Sequence, residues 1–354
     1  MWLAGWRETG YVCVVRTEDF AYELPPELIA AFPRPRGTSR LLVLPRQGSP
    51  WEANIRDIPA LLTPGDLLLL NDVRVIPARL FGRRPGGGVC ELLLLRPAGE
   101  GVWEAMGRPA ARLREGTVVS FPWGRGVIQG RQGEGKLLVA FQPPLDASAL
   151  EALGEVPLPP YIEKKRRAQP EDRRRYQTVF ARRGLAVAAP TAGLHLTAEL
   201  LAACEARGVE VVSLTLHVGP GTFKPVKSED PRQHRLDPEL YEISPETAGA
   251  LNRALAFGRR IVAVGTTSVR ALEDALKRGG GRVLPGVAHA DTYILPGFVF
   301  RGTGALLTNF HLPRSTLLML VSALAGRERV LAAYEMAKAR GFGFYSYGDA
   351  MLIL

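Results

Sequence analysis

Between residues 66 and 142 the chain alternates short apolar runs with glycine-rich turns, and it shows no helical periodicity. Glycines cluster at residues 86–88, 99–101 and 133–135, where turns are predicted. Short strands spaced about 8–12 residues apart are typical of a small barrel or sandwich. The predicted strands cover residues 67–70, 74–81, 89–96, 102–106, 117–121 and 137–141.

The rest of the chain alternates apolar strand-like runs with amphipathic segments. Strands are predicted at residues 40–45, 211–216 and 260–264, and helices at 25–31, 198–207, 245–257, 268–277, 315–324 and 328–340. This alternation favours an α/β domain with a largely parallel sheet. We therefore expect a discontinuous α/β domain, residues 1–62 and 151–354, interrupted by an inserted small all-β barrel domain at 63–150.

Composition is that of a soluble globular protein, with 46% hydrophobic and 23% charged residues. The longest nearly uncharged apolar run, residues 315–326, is too short to span a bilayer, and the first residues do not resemble a signal peptide. The three cysteines, Cys13, Cys90 and Cys204, form no CxxC pair. A reducing cytoplasm is therefore the expected location.

Five polar turns adjoin the predicted strands and helices. They are residues 190–195, 216–223, 265–270, 308–316 and 346–351. In an α/β sheet such turns gather ligand-binding groups at one edge, and helix N-termini bind anions. A plainer interpretation stays open for each turn, namely a capped helix or a buried, hydrogen-bonded histidine.

Two of these turns carry histidines that are candidates for proton transfer, because imidazole titrates near neutrality. His217 follows a strand and His195 precedes a helix. Asp349, in the last turn, is expected either to orient a histidine or to accept a proton from substrate. An ordinary turn aspartate is the alternative.

The same turns carry groups suited to an anionic or hydroxylated ligand. Glycines allow the backbone to approach a ligand closely, and hydroxyls at a helix start suit a carboxylate or a ribose. The candidates are Thr191, Gly193, Gly219, Gly221, Thr266, Thr267, Ser268, Arg270 and Asn309. HExxH, GxSxG, GxGxxG and Walker patterns are absent, so no metal site, serine hydrolase or nucleotide triphosphate site is predicted.

Residues 163–183 form a strongly basic segment, which contains nine Lys or Arg and three Asp or Glu. The net charge of +10 is compatible with a polyanionic partner. Tyr161, Tyr176 and Phe180 lie among these charges, and such rings stack on unpaired bases. RNA is therefore the preferred partner, with a solvated loop as the alternative.

Taken in order, these motifs resemble the S-adenosylmethionine:tRNA ribosyltransferase-isomerase family of queuosine biosynthesis. The resemblance runs from about residue 20 to 354 and includes residues 22–25, 70–79, 190–197, 214–223, 241–244, 265–270, 308–320 and 346–351. It implies transfer and isomerisation of the ribosyl part of S-adenosylmethionine onto the aminomethyl-deazaguanine at the tRNA wobble position, with release of adenine and methionine. It also implies an α/β domain with a barrel insert, a cytoplasmic monomer and no metal.

The resemblance suggests a role for each candidate. Proton transfers fall to His217, His195 and His311, with Asp349 orienting one of them. S-adenosylmethionine would contact the residues proposed above together with Tyr347. The anticodon arm would contact Arg74, Arg79, Lys164, Lys165, Arg173, Arg174, Arg175 and Tyr176.

Three features depart from the family pattern: residues 1–18 precede its start, Pro220 replaces a small residue, and residues 341–344 lack an expected arginine–aromatic pair. Two rival functions are an S-adenosylmethionine-dependent RNA methyltransferase, which would release no adenine, and an RNA-binding protein without turnover.

Overall fold

The computed structural model describes residues 15–219 and 226–354. A closed six-stranded barrel is formed by β5 (Arg79–Arg83), β6 (Val89–Gly99), β7 (Val102–Arg108), β8 (Val118–Phe121), β9 (Gly124–Arg131) and β10 (Leu137–Gln142). Its interior is filled by alternate side chains such as Leu92, Trp103 and Val139. The predicted barrel is confirmed, although the glycine-rich strand β9 was not predicted.

A nine-stranded sheet forms the larger part of the molecule. Its strands are β1 (Arg40–Leu44), β2 (Trp51–Asn54), β3 (Leu67–Asn71), β12 (Glu210–Leu216), β13 (Glu239–Ile243), β14 (Ile261–Val264), β15 (Gly286–Ala290), β16 (Thr303–Asn309) and β17 (Ala350–Ile353). They lie in the order β15-β13-β12-β3-β14-β16-β17-β1-β2. The short strands β4 (Val73–Val75) and β11 (Arg183–Ala186) pair separately.

The sheet is mixed, so the prediction of a largely parallel sheet is wrong. The four central strands β12, β3, β14 and β16 are mutually parallel, and β17 is parallel to β1. The pairs β15–β13, β13–β12, β16–β17 and β1–β2 are antiparallel. Only β1 and β2 are joined by a short connection, residues 45–50. The other antiparallel pairs are joined by longer segments, and two helices lie between β16 and β17 along the chain.

Helices cover both faces of this sheet, and the helix Ala147–Leu153 packs on the barrel. They are α1 (Ile58–Leu61), α2 (Ala147–Leu153), α3 (Pro160–Glu163), α4 (Asp172–Arg175), α5 (Ala198–Ala206), α6 (Pro245–Ala256), α7 (Thr266–Arg278), α8 (Thr316–Ala325) and α9 (Arg327–Ala339). Leu67 and Leu69 of β3 pack toward α6 and α7, whereas Leu68 and Leu70 pack toward α1 and α5. This alternation within one apolar run explains why β3 is buried on both faces.

The expected division of the chain at residues 62/63 and 150/151 stays a prediction. Barrel strands begin at Arg79, and β3, which that division assigns to the insert, pairs within the nine-stranded sheet. The predicted helix at 25–31 is a short 3-10 turn, Pro26–Leu28. No helix of the described residues is long and apolar enough to cross a membrane.

Candidate active site

The polar turns meet at one edge of the nine-stranded sheet. Because β12, β3, β14 and β16 run parallel, their carboxyl ends bring His217, Asp72, Gly265 and Phe310 to this edge. Strand β17 runs antiparallel to β16, so its first residues arrive at the same edge. Strand β1 is parallel to β17, which also brings the residues ahead of β1 here.

One recess at this edge, the threonine recess, holds about 630 Å³ including its open mouth. Turns before and after the central strands line it, and they contribute Thr191, Gly265, Thr266, Thr267, Thr308, Asn309, His311, Tyr345 and Ser346. Tyr161 closes one side, and its hydroxyl donates to the Ser346 hydroxyl. The recess is therefore rich in hydroxyl, amide and imidazole groups.

A directional chain of hydrogen bonds runs behind this recess. Asn309 Nδ2 donates to the Tyr345 carbonyl at 3.0 Å, which fixes the orientation of the amide because a carbonyl only accepts. The same Nδ2 lies 2.9 Å from His195 Nε2. His195 Nδ1 therefore carries the proton and lies 2.8 Å from the hydroxyl of Ser39.

The other end of the Asn309 amide faces Thr191. Asn309 Oδ1 accepts from the Thr191 hydroxyl at 3.1 Å, so the lone pairs of that hydroxyl remain to accept from a ligand. Burial lowers the pKa of His195 to about 4. This histidine is accordingly neutral at pH 7, and both of its ring nitrogens are occupied.

His311 lies on the turn that precedes α8. Its Nε2 is 2.8 Å from the Thr308 hydroxyl, its backbone N–H donates to Tyr334 at 2.9 Å, and burial lowers its pKa to about 3. The Ser315 hydroxyl accepts from the N–H of Leu318 and caps the helix. No hydrogen bond from the described residues reaches Nδ1 of His311.

The start of α7 forms another wall. Gly265 has φ +86°, which glycine adopts without strain and which turns the chain from β14 into the helix. Ser268 donates to the Val264 carbonyl at 2.8 Å and is fully buried, so it does not face the recess. The buried hydroxyl of Thr267, in contrast, has no hydrogen-bond partner among the described residues.

A second recess, the interdomain cleft, separates the barrel from the sheet and holds about 1460 Å³ including its open side. His217, Gly219, Glu239 and Arg270 face barrel residues that include Glu104 across it. The Arg270 guanidinium donates to the Glu239 carboxylate, which also accepts from the N–H of Gly219 at 2.9 Å. Val218 lines both recesses, so they adjoin.

His217 is oriented by a backbone contact. Its Nδ1 lies 2.9 Å from the Leu185 carbonyl and 3.4 Å from the Leu185 backbone nitrogen. The shorter contact needs a proton on Nδ1, since a carbonyl only accepts, and in the neutral imidazole the lone pair then lies on Nε2. Gly184 packs against the ring: a Cβ there would lie 2.6 Å from His217 Cε1. The ring is thus held in place at the wall of the interdomain cleft.

Residues 17–353 match the model of a family described as queuosine biosynthesis protein. The chain belongs to this family. Relatives named S-adenosylmethionine:tRNA ribosyltransferase-isomerase come from Anaeromyxobacter sp. (strain Fw109-5), 51% identical over 96% of this chain and 99% of the relative, and from Thermus thermophilus, 51% identical over 95% and 99%.

A solved structure is also similar to this chain. It is the crystal structure of an S-adenosylmethionine tRNA ribosyltransferase from Thermotoga maritima, with 37% sequence identity and a TM-score of 0.53. The match covers 95% of this chain and 100% of that one. The family resemblance found in the sequence is confirmed.

Several predicted site residues of this family member lie away from both recesses. Asp349 is fully buried and accepts from the backbone N–H groups of Arg40 at 2.9 Å and Gly343 at 2.8 Å, so it braces the last turn and bonds no histidine among the described residues. Gly193 is required for packing, because a Cβ there would lie 2.6 Å from the Phe180 ring. Gly221 lies outside the described residues.

Two of the residues expected to contact RNA are not accessible. Arg79 is buried and forms ion pairs with Glu91 of the barrel and Glu163 of α3. These ion pairs join the barrel to α3. Tyr176 is buried edge-on against Tyr347, so it cannot stack on a base. Both side chains are therefore occupied by contacts inside the protein and are not available to RNA.

The other basic candidates stay at or near the surface. Arg74 pairs with Glu151 at 2.7 Å, and Lys165 donates to the carbonyl of Ile29 at 2.9 Å. Arg173 donates to the carbonyl of Gly154. Lys164 and Arg174 are exposed, and Arg175 is half-buried.

Ser39 and Tyr345, which support or line the threonine recess, were not predicted from the sequence. Thr308 and Ser346 were predicted only as members of polar turns, and Tyr161 only as a ring that stacks on bases. Tyr345 has φ +69°, a strained conformation that is often found at functional sites. Ser39 precedes a strand, so the rule that ligands gather at carboxyl ends could not find it. Among the described residues no group of three or more His, Cys, Asp or Glu is arranged to hold a metal ion.

Proposed function

We propose that this chain transfers and isomerises the ribosyl part of S-adenosylmethionine onto the 7-aminomethyl-7-deazaguanine base at the tRNA wobble position, giving epoxyqueuosine-tRNA, adenine and methionine. The observation that carries this proposal is the identity of about half of all positions to relatives of that name over 96% of the chain. Family members of such similarity share a mechanism when the polar groups of the site are present, and the threonine recess supplies them.

The threonine recess is the proposed site for S-adenosylmethionine. The Thr267 hydroxyl, which has no hydrogen-bond partner within residues 15–219 and 226–354, and the positive end of α7 suit its carboxylate or a ribose hydroxyl. The Thr191 hydroxyl, which already donates to Asn309, accepts a hydrogen bond from a ribose hydroxyl. Arg270 lies in the wall of the interdomain cleft, paired with Glu239, and stays a candidate ligand contact there.

The reaction needs a base and a proton donor. The positive sulfonium acidifies the adjacent carbon, so a neutral base removes one of its protons, and adenine takes up a proton as it departs. His217 is the base we propose, because its Nε2 keeps a lone pair. His311, with a Nδ1 that bonds no described residue, is the proposed partner in the second transfer.

His195 is proposed as a positioning residue. Both nitrogens of its imidazole are hydrogen-bonded, one to Ser39 and the other to Asn309. Proton exchange with a ligand would require one of these two hydrogen bonds to break. His195 acts through Asn309 by fixing the direction of the Thr191 hydroxyl. The wobble base of the tRNA is placed in the interdomain cleft, which adjoins the threonine recess at Val218.

The test incubates the protein with S-adenosylmethionine and a precursor-modified anticodon stem-loop, and it measures adenine and the mass of the modified nucleoside. We expect adenine and a heavier nucleoside in equal amounts. Formation of S-adenosylhomocysteine without adenine would establish the methyltransferase. Binding without any turnover would establish the non-catalytic alternative.

The pH profile of kcat separates the histidine roles. His217→Gln is expected to remove the acidic limb of the pH profile, which arises from protonation of the base. His195→Gln is expected to lower kcat and to leave both the acidic and the basic limb in place. A limb lost with His195→Gln would make that residue a proton-transfer group instead. The monomeric state and the cytoplasmic location stay predictions.

A further inference from the structure

A third recess, the arginine recess, lies behind the wall formed by His195. Three guanidinium groups line it, those of Arg34, Arg36 and Arg175, and Tyr347 closes one side. It holds about 300 Å³ including its mouth. The sequence assigned Arg175 to RNA and Tyr347 to S-adenosylmethionine, and it gave Arg34 and Arg36 no role.

The charges in this recess are not balanced within the described residues. Arg36 and Arg175 form no ion pair with a described carboxylate, and only Arg34 approaches one, with its Nη1 3.5 Å from Asp349 Oδ1. Burial and the repulsion of Arg175 and Arg174 lower the pKa of Arg36. Several guanidinium groups without counter-charges in one recess create a positive potential, which favours binding of an anion such as phosphate.

The guanidinium groups are held in place by backbone acceptors. Arg36 Nη2 donates to the carbonyls of Arg174, at 2.8 Å, and of Gln177, and Arg175 donates to the carbonyl of Arg34. The two segments thus clamp each other with one end of each guanidinium. A guanidinium has five N–H donors, so each side chain keeps further donors for a ligand.

The arginine recess is close to the proposed active site. Ser346 lines both the arginine recess and the threonine recess. His195, in the wall of the arginine recess, bonds Asn309 in the wall of the other. An anion held here therefore lies one layer of side chains from the reacting groups.

Resting on the proposed function, we propose that the arginine recess binds a backbone phosphate of the RNA substrate beside the nucleotide that is modified. Arg36 and Arg175 hold the phosphate oxygens, and Arg34 stands at the rim. The phosphate fixes the register of the RNA, as phosphate contacts generally do. This contact positions the target base relative to the threonine recess.

The experiment measures binding of the anticodon stem-loop to Arg36→Gln and Arg175→Gln between 50 and 300 mM KCl, chosen as roughly the range in which ion release is measurable. Arg112→Gln is the matched control, because Arg112 is exposed on the barrel. Each recess variant is expected to bind the stem-loop about tenfold more weakly, with a salt slope lower by about one, while the control changes neither. Thermal unfolding identifies a variant that has lost its fold, and Arg36→Lys, which keeps the charge, is expected to recover most of the affinity.

A stem-loop with one methylphosphonate beside the target nucleotide tests the source of the anion. The wild type should bind this modified stem-loop about tenfold more weakly than it binds the unmodified one. The recess variants should bind the modified and the unmodified stem-loop equally well. The proposal is overturned if the recess variants raise KM for S-adenosylmethionine and not for RNA, or if only inorganic phosphate distinguishes them from the wild type. In both cases wild-type release of adenine would still uphold the proposed function, whereas its absence would defeat that function.

Discussion

Asn309 Nδ2 lies 2.9 Å from His195 Nε2, so the lone pair of this imidazole is directed at an amide inside the protein. The contact leaves His195 neutral and makes it part of the scaffold of the threonine recess. It also links the stability of the fold to pH, because a buried neutral histidine resists protonation.

Acidification should destabilise the protein through His195. Its pKa in the folded state, about 4, lies below the ordinary value of 6.5, so this contribution to stability is complete above pH 6.5 and is lost as the pH falls towards 4. The loss is on the order of 3 kcal/mol at most. Denaturant unfolding at several pH values should show a weaker acid dependence in His195→Gln, and an unchanged one when the exposed His289 is replaced by Gln.

Replacement of Gly184 by alanine should displace His217. The added Cβ would lie 2.6 Å from the ring, and Gly184 has φ +73°. Gly86→Ala is a matched control, since Gly86 has φ +83° but nothing within 4 Å of its Cβ. We expect both variants to lose roughly 1 kcal/mol from backbone strain, and only Gly184→Ala to lose most of its adenine release. Equal activities would show that the ring position of His217 does not matter.

Thr267→Val should separate ligand binding from stability. The Thr267 hydroxyl is buried without a partner among the described residues, so its removal is expected to leave the melting temperature unchanged or slightly higher. If this hydroxyl contacts S-adenosylmethionine, the variant binds the ligand about tenfold more weakly, and Thr267→Ser retains most of the affinity. Thermal unfolding measures the melting temperature, and calorimetric titration with S-adenosylmethionine measures the affinity. Unaltered affinity in Thr267→Val would show that this residue is not part of the site.

Glu239→Gln should destabilise the wall of the interdomain cleft strongly. Arg270 and Glu239 are both buried and hydrogen-bonded to each other, so the variant leaves a buried guanidinium without its counter-charge. The expected loss in the free energy of unfolding is about 3–5 kcal/mol. Glu151→Gln, in the exposed pair with Arg74, should cost less than about 1 kcal/mol. A small loss in Glu239→Gln would mean that other groups neutralise Arg270.

The barrel, the longer helices and the strands β1, β12 and β14 could be predicted from the sequence, whereas β16 was missed and β3 was assigned to the barrel insert. The apolar periodicities and glycine turns of the predicted elements are local features of the sequence. Strand β9 was missed because glycine and arginine interrupt its apolar positions. The antiparallel members of the large sheet were missed because strand direction depends on connections that periodicity does not encode.

The candidate site was predicted in part for a similar reason. His217 follows β12 and could be found from the order of elements, and Asn309 could be found because its turn precedes a predicted helix. Ser39 and Arg36 precede β1, and they reach the site edge only because β17 is inserted between β16 and β1. No local pattern marks that insertion.

The order of apolar and polar residues was enough to define the elements, the family resemblance and the turns that carry chemistry, since these depend on neighbours along the chain. The three-dimensional fold decided which nitrogen of His195 carries a proton, and that Arg79 faces Glu91 and Glu163 and is closed to RNA. It also decided that Asp349 braces a turn. The physical reason is that burial, hydrogen-bond direction and charge pairing are set by residues distant in sequence, which meet only once the sheet has formed.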